Sequence, residues 1–144
     1  MNWDQYHLAF ARTASLKSKD PSTQVGAIAV RGRDVLDTGF NGYPPGVPDV
    51  RLGERDYKLA RTVHAEMNLI CHAAKRGISL EGCKVFIWPF PPCSNCMKHL
   101  IAVGVTEIVT PPFEAPARWI EDFVLAGQLA NESGVRLRVV CCNE

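Results

Sequence analysis

Long apolar runs, blocks of like charge and low-complexity tracts are all missing from this sequence of 144 residues. No apolar stretch approaches the roughly 20 residues that a membrane-spanning helix needs. Residues 1–10 lack the basic-then-apolar order of a secretory signal. The sequence therefore predicts neither a membrane protein nor a secreted one, and we expect a cytoplasmic location.

The chain also lacks an excess of charge of either sign. The chain has 16 Lys and Arg residues and 15 Asp and Glu residues, and the basic residues are scattered along it. Proteins that bind duplex nucleic acid usually cluster their basic residues, so we expect a small molecule as the partner and not a nucleic acid. The hydrophobic fraction of 47% is that of a globular protein. We expect residues 1–144 to form one domain.

The spacing of apolar residues predicts helices and strands along most of the chain. Helical spacing is found over residues 3–17, 62–75, 93–103 and 119–131. Short β-branched or alternating segments indicate strands over residues 24–30, 35–40, 84–88, 105–109 and 135–140. A hairpin followed by helix–strand units predicts an α/β fold, with helices on both faces of a mixed sheet.

Six cysteines in a cytosolic chain indicate metal binding or catalysis before they indicate disulfide bonds. Cys93 and Cys96 form a C-x-x-C pair at the predicted start of a helix. The other four show no ligand spacing and are expected to be small buried or tail thiols: Cys71, Cys83, Cys141 and Cys142.

Another predicted helix begins with His64 and Glu66, in the segment RTVHAEMNLI (61–70). Helix N-termini offer free amides and a partial positive charge, which favour thiolates. One imidazole nitrogen and two thiolates suit zinc, and three protein ligands leave a fourth tetrahedral position open, as in catalytic sites. We therefore predict one Zn²⁺ per subunit, with ligands His64, Cys93 and Cys96, and Glu66 as the proton shuttle.

Each of these residues also has a plainer interpretation. His64 could be a core histidine, Glu66 a solvated carboxylate, and the cysteines a redox pair or half of a structural zinc site. The last alternative describes a non-catalytic zinc module, which has no need of Glu66. Because it lacks a fourth ligand at matching spacing, the catalytic site is the preferred prediction.

Zinc deaminases share the pattern H-x-E followed by P-C-x-x-C, which this chain has at residues 64–66 and 92–96. Four blocks carry a closer resemblance: SKDPSTQVGAIAV (18–30), GFNGYPPG (39–46), HAEMNLI (64–70) and PCSNCMKHLIAVGVTEIV (92–109). In their content and order, the chain resembles the deoxycytidylate (dCMP) deaminases. The resemblance implies a cytidine deaminase-like α/β/α sandwich with a five-stranded mixed sheet. It also implies hydrolysis of dCMP to dUMP and ammonia in pyrimidine nucleotide metabolism.

The resemblance further implies roles for individual residues at the substrate site. Glu66 would move protons between water and cytosine, and the Ala65 amide would help hold the base. Asn41 would contact the sugar. The phosphate is expected near Lys19 and Ser22, because a monophosphate needs cations or amide donors opposite the base.

Regulation and assembly follow from the same resemblance. In larger family members, the loop that corresponds to Gly39 and Gly42 takes part in binding dCTP as activator and dTTP as inhibitor across a hexamer. We therefore expect a homo-oligomer with allosteric control by these nucleotides. Asn68 would serve a subunit contact or the substrate.

Two segments depart from the family pattern. WPFPPC (88–93) has Pro91 where the family usually has a bulky or polar residue, and TPPFEAPARWIEDF (110–123) replaces a loop expected to contain lysine and aspartate. The first departure bears on the shape of the base pocket, and the second bears on the phosphate end. A modified dCMP, a free nucleoside or base, and a base within tRNA therefore stay open as alternative substrates.

Overall fold

The computed structural model describes residues 1–141, which contain five α-helices, a short 3₁₀ helix and five strands. The helices are α1 (Trp3–Ser15), α2 (Arg55–Arg61), α3 (Ala65–Lys75), α4 (Ser94–Ala102) and α5 (Ile120–Ser133). The strands are β1 (Gly26–Arg31), β2 (Asp34–Phe40), β3 (Lys84–Trp88), β4 (Glu107–Thr110) and β5 (Arg136–Val139). The 3₁₀ helix, Ala117–Trp119, leads directly into α5.

The five strands form one mixed sheet in the order β2-β1-β3-β4-β5. Strand β1 is antiparallel to both β2 and β3, whereas β3, β4 and β5 are parallel to one another. The parallel strands bring their carboxyl ends to the same edge of the sheet, which is where α/β folds place ligand sites. The predicted mixed five-stranded sheet is confirmed.

Helices cover both faces of the sheet because the strands alternate their apolar side chains between two cores. Helix α1 packs against one face, in a cluster formed by Leu8, Ala11, Ile28, Val30, Phe86 and Val109. Helices α3, α4 and α5 cover the opposite face, in a larger cluster that includes Ala27, Ala29, Leu69, Val85, Ile87, Met97, Leu100, Ile108 and Ala126. The predicted three-layer α/β/α sandwich is therefore confirmed.

Two glycines allow helices to approach the hairpin closely on its two sides. A Cβ atom on Gly39 would lie 2.5 Å from both the Ala65 carbonyl oxygen and the Leu69 amide nitrogen. A Cβ atom on Gly26 would collide with the Ala11 carbonyl oxygen on the other side of the sheet. Gly39 therefore sets the close packing of β2 on the first turns of α3, next to His64.

The helix predicted over residues 62–75 begins later than expected. Thr62 caps the end of α2, a helix that was not predicted, and His64 is the N-cap of α3. Val63 between them forms an isolated β-bridge with Gly42, so this short segment is extended. The strand over residues 84–88 has its predicted bounds, and the other predicted elements are present with bounds shifted by a few residues. No helix within residues 1–141 is long and apolar enough to cross a membrane.

Candidate active site

The predicted metal ligands come together where two helices begin. His64 is the N-cap of α3 and Cys93 is the N-cap of α4, and both residues have extended backbones. Cys96 lies in the first turn of α4 and is fully buried. The positive ends of two helix dipoles thus face the same point, which favours deprotonated thiols there.

The distances between the ligand atoms fit a tetrahedral zinc ion. The Nδ1 atom of His64 lies 3.5 Å from the Cys93 sulfur and 3.4 Å from the Cys96 sulfur. Zn–N bonds of about 2.0–2.1 Å and Zn–S bonds of about 2.3 Å place such atoms about 3.5 Å apart in a tetrahedron. Across residues 1–141, no other group of three His, Cys, Asp or Glu side chains meets the same spacing criterion for a metal. The three predicted ligands are therefore positioned to bind a metal ion.

The hydrogen bonds of the site favour the thiolate form of Cys93. Hydrogen bonds from the side chains of Cys96 and His64, together with the Cys96 amide, lower the pKa of Cys93 to about 4, against the effect of burial. The shared hydrogen bond with Cys93 and burial raise the pKa of Cys96. The hydrogen bond with Cys93 also raises the pKa of His64. Of the two thiols, Cys93 therefore loses its proton more readily.

Glu66 lies in the first turn of α3 with 4% of its surface exposed. Burial raises the pKa of its carboxyl group to about 7, although the charge of His64 acts in the opposite direction. A carboxyl group with a pKa near neutrality can both accept and donate a proton under physiological conditions. Its position beside His64 therefore gives the site an acid–base group.

A cavity of about 320 Å³ opens above these residues. Its lining includes His64, Ala65, Glu66 and Cys93. One further wall comes from α2 and the loops before it, and it includes Asp20, Ser22, Thr23, Asn41, Arg55 and Lys58. The other wall has three aromatic side chains, from Phe90, Trp119 and Phe123, and also includes Pro91, Pro116 and Arg118. The two segments that depart from the family pattern both contribute to this second wall.

Two of the predicted substrate residues have clear structural surroundings. Ala65, the first residue of α3, is buried and lines the cavity. Asn41 also lines it, but its Nδ2 atom donates to the Thr23 carbonyl at 2.8 Å and its Oδ1 atom accepts from the Val25 amide at 2.9 Å. Asn41 therefore holds the loop before β1, and its contact with a sugar stays a prediction.

The structure separates the two residues proposed for the phosphate. Ser22 lines the cavity, whereas Lys19 lies outside its lining. The ammonium group of Lys19 forms a 2.8 Å ion pair with Asp49, and 67% of the Lys19 side chain is exposed. Lys19 is thus an ordinary surface lysine, and the cavity obtains its cations elsewhere.

Lys58 is the buried cation that sequence reasoning missed. Its Nζ atom lies 3.0 Å from Asp20 Oδ1 and 3.4 Å from Ser22 Oγ, and only 7% of the side chain is exposed. Arg55, one helical turn earlier on α2, and Arg118 from the 3₁₀ helix also line the cavity. The three-residue spacing of Arg55 and Lys58 was the available signal, since such residues share a helix face.

The residues predicted for effector or subunit contacts tie the loop after β2 to α3. Asn68 Nδ2 donates to the carbonyl groups of Phe40 at 2.8 Å and Val63 at 3.3 Å. Gly42 exchanges backbone hydrogen bonds with Val63. These contacts give Asn68 and Gly42 a structural role, and a role in effector binding stays a prediction.

The remaining described cysteines lie outside the metal cluster. Cys83 is buried, as expected, but Cys71 is exposed on α3 and so corrects the expectation of a buried or tail thiol. Cys141 is exposed near the end of the described chain, and Cys142 lies outside the described residues.

The chain is similar in sequence to known deaminases. Residues 1–111 match a family model described as the cytidine and deoxycytidylate deaminase zinc-binding region. A protein of Aliivibrio fischeri named an uncharacterized deaminase in the luxG 3′ region is 35% identical over 138 residues, which cover 94% of this chain and 91% of that protein. The deoxycytidylate deaminase of Homo sapiens is 33% identical over 117 residues, which cover 76% of this chain and 64% of that protein, slightly less than two thirds.

A solved structure shows the same likeness in three dimensions. The dCMP deaminase of the cyanophage S-TIM5, in complex with dCMP and dUMP, matches this chain with a TM-score of 0.77. The two are 25% identical, and the match covers 94% of this chain and 95% of the phage protein.

Proposed function

The chain belongs to the family defined by the cytidine and deoxycytidylate deaminase zinc-binding region, and on that premise we propose that it hydrolyses dCMP to dUMP and ammonia. One observation carries the proposal: His64, Cys93 and Cys96 meet beside the buried carboxyl group of Glu66 in one cavity. Relatives named deoxycytidylate deaminases, and a similar phage enzyme in complex with dCMP and dUMP, support this substrate.

The side chains of the cavity suit hydrolytic deamination at C4 of cytosine. A zinc ion, which His64, Cys93 and Cys96 would hold, would act as a Lewis acid and lower the pKa of water to about 7. Glu66 takes a proton from the attacking water and delivers it to N3 of the base. The water oxygen bonds to C4, Glu66 then takes the second proton from that oxygen and passes it to the amino group, and the C4–N4 bond breaks. Ammonia leaves, and the base becomes uracil.

The charges around the cavity support a substrate with a phosphate group. The lining of the cavity contains three basic side chains, from Arg55, Lys58 and Arg118. It contains two carboxyl groups, from Asp20 and Glu66. The Asp20 Oδ1 atom already accepts hydrogen bonds from the amides of Ser22 at 2.8 Å and Thr23 at 3.0 Å, as well as from Lys58. Asp20 thus holds Lys58 in place, and the surplus positive charge is available to a phosphate.

Replacing Lys58 with methionine is expected to lower kcat/KM for dCMP by about 10- to 100-fold, because a hydrogen bond to a charged group contributes about 1.5–3 kcal/mol. The kcat/KM for deoxycytidine, which has no phosphate, should change by less than about threefold. Steady-state kinetics on the two substrates measure this selectivity directly.

Lys19→Met is the matched control, because it removes an exposed lysine that is paired with Asp49 outside the cavity. It should leave both substrates unaffected. Equal losses of kcat/KM on dCMP and deoxycytidine in Lys58→Met would assign Lys58 to the support of the loop around Asp20 and remove it from phosphate recognition.

A cytosine with a substituent at C5 is the second candidate substrate. Phe123 lies among three other aromatic rings, with centroid distances of 6.1 Å to Phe90, 5.9 Å to Phe113 and 6.1 Å to Trp119. Phe90 and Pro91 belong to the segment that departs from the family pattern. This apolar wall favours a base that carries an additional apolar group.

The proposal extends to assembly, regulation and location. A homo-oligomer, control by dCTP and dTTP, and a cytoplasmic location are supported by the resemblance to the dCMP deaminases. The loop with Gly42 leads directly from Asn41, which lines the cavity, so a ligand held by this loop would act close to the substrate.

Ammonia release by the zinc-loaded protein tests the proposed function. The substrates are dCMP, CMP, deoxycytidine, dCTP and a 5-substituted dCMP, each with and without added dCTP or dTTP. Preference for dCMP is the expected result. Preference for the 5-substituted nucleotide would select the second candidate, and an absence of turnover on all five would reject the proposal.

A further inference from the structure

The carboxylate of Asp122, on α5, accepts hydrogen bonds from the first residue of α4. Asp122 Oδ2 accepts a hydrogen bond from the Ser94 amide at 2.9 Å, and Asp122 Oδ1 accepts one from the Ser94 hydroxyl at 2.6 Å. Ser94 is the first residue of α4 and directly follows Cys93. The deamination chemistry makes no use of Asp122.

The two hydrogen bonds act on the part of α4 that determines where Cys93 points. The first amides of a helix have no partners within the helix, and a side chain must satisfy them or they remain exposed. Cys93 Sγ accepts from the Cys96 amide at 3.4 Å, whereas the Ser94 amide is satisfied by Asp122 from another helix. Fixing the amide and the hydroxyl of Ser94 together fixes the peptide unit that follows Cys93.

Asp122 also connects the zinc ligands to the wall of the cavity that includes Trp119 and Phe123. Asp122 lies outside residues 1–111, the range that matches the family model. It directly precedes Phe123 in α5, and the 3₁₀ helix that ends at Trp119 leads into the same helix. Trp119 and Phe123 both line the cavity. The hydrogen bonds to Ser94 therefore join this wall to the metal site.

We infer that Asp122 is a positioning residue for the zinc site, which holds Cys93 in the orientation that metal binding requires. Partners outside the ligand shell commonly change metal affinity by about 10- to 100-fold when they are removed. The inference concerns the affinity of the site for zinc and is independent of which nucleotide the protein deaminates.

The test is the zinc dissociation constant of the full chain, measured by competition with a chromogenic chelator. Asp122→Ala should weaken zinc binding by about 10- to 100-fold. Glu121→Ala is the matched control, because Glu121 is an exposed acidic residue in the same first turn of α5. It should change the constant by less than about twofold. An equal loss in the two variants would attribute the effect to negative charge in the first turn of α5 and overturn the inference.

Asp122→Asn separates positioning from charge. Its Oδ1 atom can accept from the Ser94 amide and its Nδ2 atom can donate to the Ser94 hydroxyl, so both contacts survive without the negative charge. Zinc affinity should therefore stay within about fivefold of that of the unchanged protein. A loss as large as that in Asp122→Ala would show that charge and not geometry is responsible, and would contradict the assignment.

Ser94→Ala provides a variant that retains Asp122 and removes only the hydroxyl contact. It should weaken zinc binding less than Asp122→Ala does, and the double variant should be no weaker than Asp122→Ala alone, because both changes act on one contact. Additive losses would mean that Asp122 acts through a different contact, which would also overturn the inference. All of these measurements omit the nucleotide, so a failure of the proposed dCMP activity would leave their outcome readable.

Discussion

Replacing Glu66 with glutamine is expected to lower kcat for dCMP by about 10²- to 10⁴-fold, the usual contribution of a positioned acid–base group. Glutamine has nearly the same size and can occupy the same buried position, but its amide cannot take up or release a proton. Zinc content should remain at one ion per chain. Steady-state kinetics and metal analysis of the same preparation measure the two quantities.

Glu107→Gln is the appropriate control because Glu107 is equally buried, with 5% of its surface exposed. Burial alone would raise the pKa of Glu107, but a hydrogen bond from Arg138 and the charges of Arg138 and Lys84 lower it. This carboxylate therefore stabilises the fold in its charged form, and the glutamine variant should have a lower Tm with unchanged kcat. Glu66→Gln should instead have a lower kcat, without the loss of Tm expected for Glu107→Gln.

Comparison of Glu66→Gln with the parent protein also separates the proposed enzyme from a non-catalytic zinc module. A structural zinc site would retain its metal and fold in Glu66→Gln, and the parent protein would have no turnover for the substitution to remove. Wild-type rates of deamination in zinc-loaded Glu66→Gln would be incompatible with Glu66 as the proton shuttle.

The features that the sequence predicted well are those set by local patterns. Strand β3 was predicted with its observed bounds, because KVFIW is a short β-branched and aromatic run that ends at prolines. The zinc ligands were found because each of them stands at or just after the start of a helix, and helix starts have recognisable sequences. In both cases, neighbouring residues in the chain carry the information.

The features that were missed depend on contacts between distant parts of the chain. Helix α2 has only seven residues, which is too short for intrinsic propensity to establish it. Its Lys58 is buried against Asp20, 38 residues earlier in the chain. Nothing local to either residue shows this pairing. The contact between Asp122 and Ser94 spans 28 residues and was invisible for the same reason.

Lys19 shows the limit of an inference from resemblance. Its position within a block that resembles the dCMP deaminases suggested the phosphate, but Asp49, from a loop later in the chain, pairs with its ammonium group at the surface. Proximity in sequence to a recognised block is therefore a weaker guide than the side of the loop from which a residue projects.

Replacing Cys96 with alanine is expected to remove zinc from the protein and dCMP turnover with it. The loss of a direct ligand should weaken zinc binding by more than the roughly 10- to 100-fold that is typical of outer partners. After dialysis against a weak chelator, the zinc content should be close to zero. Thermal unfolding with and without EDTA provides a second measurement, because a ligand that binds only the folded state raises Tm.

Cys83→Ala provides the matched control, because both cysteines are fully buried and each substitution deletes one buried sulfur atom. The packing loss should therefore be similar, about 1 kcal/mol in each variant. Cys83 lies in the core near Arg31 and outside the metal cluster, so Cys83→Ala should keep its zinc and its sensitivity to EDTA. Cys96→Ala should have the same Tm whether EDTA is present or not. Because the two variants share the cost of a small cavity, the difference between their responses to EDTA isolates metal ligation by Cys96, and equal responses would remove Cys96 from the ligand set.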